Sequence, residues 1–292
     1  MSLQPADDFT QLALHVLAHV PRSGPADLFD RRHVAAAARL FSPSARALLA
    51  DDAATLAALW RDAPALDVLD ALPALHASLA ALRRTVARPL ADLVPAAVAA
   101  PPLLRALQRL GPAGELVHAL LGLLVDEFAA VHAAHLEPAL ARGRDALRPW
   151  LARLADHVPG LAAARVELVW ALGPRGRALP DRILVGCPGH LTDPAAAAVL
   201  AAHEHAVCTS GQVDHVRGEW SALVRLARAL RPAPAPLRDA HARWLASLNL
   251  DALLASAAAA DLVTPAHAAA LRARAADRAA LLAACSPQRP VP

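Results

Sequence analysis

The chain has 292 residues, 56% of them hydrophobic and 19% charged, with 29 basic against 26 acidic side chains and a net charge of +3. So much apolar surface can bury a substantial core and excludes intrinsic disorder. The bases alternate with acids and do not gather into a stripe, which argues against nucleic-acid binding. Ala is about a quarter of the chain and Leu nearly a fifth, Lys and Tyr are absent, and Ile, Asn and Met occur once each. That bias is what a GC-rich bacterial genome imposes through its codons, so most of it carries no functional meaning.

Apolar residues recur at spacings of three and four along most of the chain, and prolines stand where helices would begin. Helices are expected at 8–20, 31–41, 51–60, 65–84, 89–99, 101–110 and 114–141, then at 145–157, 194–208, 212–230, 236–248 and 265–284. The Pro-free stretch 114–137 is apolar on most of its circumference and is expected to be a central, buried helix. One region breaks the helical period. Residues 165–170 and 181–185 are short runs rich in β-branched and aromatic side chains, separated by a loop containing Gly173 and Gly176. They predict a β-hairpin as the only appreciable β-structure. A lone hairpin is marginal in water and must pack on helices. A sheet of four or more strands would overturn this hairpin and the fold built on it, although a third short strand would not.

The expected fold is therefore mainly α: a multi-helix bundle with one small β-hairpin packed on the C-terminal helices. Residues 1–160 would form the helical bundle, and 161–292 the hairpin with the following helices, the two making one compact unit. No run reaches the roughly 18 to 20 uninterrupted apolar residues that span a bilayer, and Asp7 and Asp8 stand where a signal peptide would be basic. Three cysteines, at 187, 208 and 285, are too few for a disulfide framework. A cytoplasmic protein without membrane contact is expected.

Polar chemistry is concentrated between 187 and 215, which holds Cys187, His190, His203, Glu204, His205, Cys208, Asp214 and His215. Imidazole and thiolate are favoured zinc ligands, and iron shares the imidazole preference. Thr192, Asp193 and Pro194 mark a helix start, with Asp193 as cap. On that helix Val199, Leu200, His203 and Val207 share an apolar face, so His203 is expected to point inward. Glu204 stands about 100° further round, and His205 falls on the alanine side, expected to be exposed. His203 and His205, about 200° apart, cannot chelate one ion from a regular helix.

A strand followed by a helix carrying His203-Glu204 resembles the active-site region of zincin metallopeptidases of the gluzincin type. There the helix bears H-E-x-x-H, two histidines bind zinc and the glutamate activates water. The resemblance implies His203 as a metal ligand, Glu204 as the catalytic acid or base, and zinc or iron as the metal. Val207 occupies the place of the second histidine. This implies a degenerate, non-catalytic relative or a centre rebuilt with His190, His215 or Cys208. A sheet of four or more strands would overturn this comparison too.

Competing readings rest on the same residues. His203 can be an ordinary packed histidine, Glu204 can pair with Arg182 or Arg217, and Cys187 and Cys208 can be small core residues. The chain would then be a non-catalytic helical scaffold or partner subunit of a bacterial complex, acting through an unidentified protein or peptide partner. Two further constellations stand out. Glu115 and His118 have the Glu-x-x-His spacing of di-iron bundles, followed by Asp126, Glu127, His132, His135 and Glu137, but no second such motif exists. His15 and His19 lie at i and i+4 of an ordinary amphipathic helix. The absence of lysine excludes a lysine Schiff base and the usual phosphate-binding loop, and no G-x-S-x-G elbow is present.

Overall fold

The computed structural model describes residues 1–19, 29, 34–35, 38–47, 49–51, 78, 80–81, 84, 128, 137–173, 176–179, 181–186, 193–211, 215–248 and 250–285. Over these residues the chain is mainly helical, with one small sheet packed against the helices. The order begins with β1 (Ser2–Pro5), α1 (Asp8–Ala18) and α2 (Glu137–Ala155), then a 3-10 turn at Leu161–Ala163. Next come β2 (Arg165–Val169), β3 (Gly176–Ala178), β4 (Ile183–Gly186) and α3 (Pro194–Cys208). The chain continues through α4 (His215–Leu230), α5 (Ala235–Ser247), α6 (Leu250–Ala259), α7 (Pro265–Ala273), a 3-10 turn at Ala275–Asp277 and α8 (Arg278–Ala284). No helix among the described residues is long and apolar enough to cross a membrane.

The sheet corrects the expectation of a lone hairpin. Four strands lie in the order β1-β2-β4-β3. β2 and β4 run parallel, with Val166 opposite Ile183, while the antiparallel hairpin is the shorter pair β3 and β4. Nor is β-structure confined to 165–186, because β1 pairs parallel with β2, Leu3 opposite Val166. The cause is burial on both faces. Every residue of β4 and all but the first of β2 are buried, as in central parallel strands, whose near-continuous apolar runs carry no alternation that reveals direction. β1 has no strand signature of its own. It is followed by Gln11, whose side-chain amide donates to the Leu168 carbonyl at 2.5 Å and accepts from the Trp170 amide at 3.0 Å, closing the end of β2. Gly186 is required by close approach, since a Cβ there would lie 2.0 Å from the Gly173 carbonyl oxygen.

Asp193 caps α3, its Oδ1 accepting from the Ala196 amide at 3.0 Å, with Pro194 in the first turn as expected. α3 is packed by α2, α4, α5, β3 and β4. Its buried Ala195, Ala198, Ala201, Ala202 and Ala206 are small enough to let these neighbours close in. The expected helix 265–284 is broken after Ala273, and Arg278 Nε donates to the Leu271 carbonyl at 2.9 Å, satisfying a helix end. The helix α6 was not anticipated. About half of 31–41 and most of 51–60, 65–84, 89–99, 101–110 and the long stretch 114–137 lie outside the described residues. Buried side chains of α1, such as Leu14, belong to the same apolar cluster as those of β2, α3, α4 and α5. The described parts of 1–160 and 161–292 therefore share one core.

Candidate functional site

His203 points inward as its helical phase requires and is 4% exposed. Its Nε2 lies 3.4 Å from Glu219 Oε2 on α4, and its Nδ1 lies 3.9 Å from Glu204 Oε1. Neither ring nitrogen makes a hydrogen bond of good geometry. Burial by itself pulls this imidazole down, but the charges of Glu219 and Glu204 outweigh it and hold the group above its ordinary value. The ring centroid of Trp244 on α5 is 4.9 Å away, and His241 stacks on Trp244 at 6.1 Å. Burial, reinforced by the charge of His203, pushes His241 down to about 4. An imidazole whose proton affinity two carboxylates raise thus stands near one whose affinity burial lowers, at a junction of three helices.

Glu204 is half-buried and lies against the edge strand β3. A Cβ on Gly176 would approach Glu204 Cγ to 2.6 Å, so the glycine makes room for the carboxylate. Arg182 is not the partner of Glu204. Its guanidinium reaches Glu167 at 3.2 Å and Asp181 at 3.5 Å. Glu167 is fully buried on β2, bound also by Arg165 and by the Gln4 amide.

The expectation for His205 is overturned. It is 9% exposed, and its Nε2 lies 3.2 Å from the Pro159 carbonyl, packed against the turn that follows α2. The alanine side of α3 faces α2, not solvent. Cys208 has an exposed residue surface, but its Sγ donates to the Leu179 carbonyl at 3.2 Å. Desolvation of that thiol and the nearby negative charges of Glu204 and Asp181 push it up to about 11. His190 and Cys187 lie outside the described residues, as does the side chain of His215, whose backbone opens α4.

Glu219 and His241 were missed by the sequence reading, although a signal existed for each. Glu219 lies in phase with Val216 and Leu223, and His241 with Leu237, Trp244 and Leu245, so both are polar groups on apolar helix faces. Of the other constellations, His118, His132 and His135 lie outside the described residues. His15 and His19 have ring centroids 4.9 Å apart and pack among Phe41, Phe128 and Trp170. Burial pushes His19 down to about 4. Among the described residues no group of three or more His, Cys, Asp or Glu side chains is spaced to hold a metal ion. Compared with known proteins, the chain matches no family model, no curated protein and no solved structure.

Proposed function

We propose that this chain is a degenerate zincin-like protein, cytoplasmic and of bacterial type. It keeps a His-Glu helix beside a sheet, and Val207 stands where the second histidine donor of a hydrolytic metal centre would be. The observation that carries the reading is the pair of carboxylates on His203, Glu219 at 3.4 Å from Nε2 and Glu204 at 3.9 Å from Nδ1. An inward histidine and its adjacent glutamate meet an acid from the next helix at one place. The four-stranded sheet is the outcome set against the comparison, so the proposal rests only on the β3–β4 hairpin, the strand-to-helix order after it and the His-Glu pair.

The resemblance implies zinc, and the donors among the described residues fit it only in part. The buried ring nitrogens of His203 lack hydrogen bonds, which suits an electrophile, and Glu219 supplies a second donor. Zinc centres take three or four protein ligands, and Val207, one turn beyond His203, offers none. The described residues do not make a complete zinc centre, so no hydrolytic step is drawn through one. The scaffold reading draws on the same contacts, because two carboxylates that raise the proton affinity of His203 favour a proton over a metal on its ring.

Zinc titration of untagged protein, wild type and Val207→His, separates these readings. The degenerate reading expects wild type to lose zinc and iron on dialysis. Val207→His should restore a donor at i+4 of His203 and tighten zinc binding by about a hundredfold or more. If Val207→His folds and binds no better than wild type, the scaffold reading stands. One tightly held zinc per wild-type chain, lost in His190→Ala or His215→Ala, would establish a rebuilt centre and overturn degeneracy.

A further inference from the structure

A thiol and an imidazole meet at the far end of the chain. Cys285 follows α8 and is partly exposed, and its Sγ lies 3.2 Å from Nε2 of His267 on α7. The Leu281 carbonyl is 3.1 Å from the same Nε2 and 3.5 Å from Sγ. The thiol hydrogen is directed toward the carbonyl and lies within reach of the Nε2 lone pair; once on Nε2 it is shared with the carbonyl 3.1 Å away. The Arg228 guanidinium is fixed beside it, donating to the Ala283 and Cys285 carbonyls. Partial burial holds the Cys285 thiol above its ordinary value, while the positive charge of Arg228 acts in the opposite direction.

Cys208 has the opposite surroundings. Its thiol donates to a carbonyl, and the charges that act on it are the acids Glu204 and Asp181. The thiolate is the nucleophilic form, and cationic or basic neighbours promote it. The Cys285 pair is also separate from the His203 cluster. Glu219 and Arg228 are nine residues apart on α4, about 180° out of phase at 100° per residue, so they leave opposite sides of that helix.

We propose that Cys285 and His267 form a thiol-modification site that exchanges with low-molecular-weight disulfides, His267 acting as the base. Nε2 accepts the Sγ proton as Sγ attacks one sulfur of the disulfide. The disulfide bond of the reagent breaks, a mixed disulfide forms on Cys285, and His267 returns the proton to the departing thiolate. One thiol and one disulfide are consumed and one of each is formed, so no further oxidant is needed.

The test is incubation of the full chain with oxidised glutathione, followed by peptide mass mapping over time. The glutathione adduct is expected on Cys285 at least about tenfold faster than on Cys208, despite the greater exposure of Cys208. His267→Gln should slow the Cys285 adduct by about tenfold and leave Cys208 unchanged. Either faster modification of Cys208 or an unchanged Cys285 rate in folded His267→Gln would overturn the proposal.

Discussion

Gly176 of β3 stands directly against Glu204 of α3, and a Cβ at position 176 would lie 2.6 Å from Glu204 Cγ and 3.1 Å from the Leu184 carbonyl oxygen. An edge strand and the central helix are thus fitted to each other through a missing side chain. Gly176→Ala should lower stability by about 1–3 kcal/mol, the usual cost of overpacking. Thermal melts of Gly176→Ala in the wild-type and Glu204→Ala backgrounds check this. The loss should shrink clearly when Glu204 is truncated, and an equal loss in both would show that the strand, not the glutamate, is displaced.

His205→Ala should cost about 1–3 kcal/mol, because it opens a void under α2 and leaves the Pro159 carbonyl without its imidazole partner. The sequence alone placed His205 outside, where substitutions change stability by under about 0.5 kcal/mol. Urea unfolding distinguishes the two. A midpoint unchanged from wild type would contradict the packing of this ring.

Acid should destabilise the fold through two histidines. His19 and His241 are both pushed down to about 4, chiefly by burial. Below pH 6.5 the unfolded chain takes up protons that the folded rings refuse, so their contribution falls as pH drops toward 4 and is constant above 6.5. Each depression corresponds to on the order of 3 kcal/mol by its lower end. His203 has the opposite sign. Its group is raised, so its contribution is full below 6.5 and is lost as pH rises through the folded value. Stability measured against pH for wild type, His19→Gln and His241→Asn should show a shallower acid slope in each variant, and identical slopes would sink the assignment.

Asp193 joins the start of α3 to α5. It caps the helix through the Ala196 amide, and Arg243 Nε donates to its Oδ2 at 2.6 Å. The Arg243 hydrogen bond, against some desolvation, holds this carboxyl below its ordinary value. Asp193→Ala should cost about 1 kcal/mol at pH 7. The ionic part of that difference is present above the unfolded value near 3.9 and disappears as pH falls through the folded one. Denaturant midpoints at pH 7 and pH 3 provide the comparison, and a difference that grows in acid would be the wrong sign.

Local patterns in the sequence determined what short-range physics can determine. The period of 3.6 located α3 from Pro194 to Cys208, its Asp193 cap and the inward direction of His203, because these depend on neighbours within a turn or two. It also set the mainly helical class of the fold. Tertiary structure decided the rest. Whether β2 and β4 run parallel depends on what covers both their faces, and β1 exists only because β2 offers it a ladder. Glu167 is buried because two arginines and Gln4 close over it, and no alternation pattern contains that information. The site follows the same rule. His203 and Glu204 were legible together because one helical turn holds them, whereas Glu219 and His241 reach the cluster from other helices, and packing angles between helices are not written in the spacing of either.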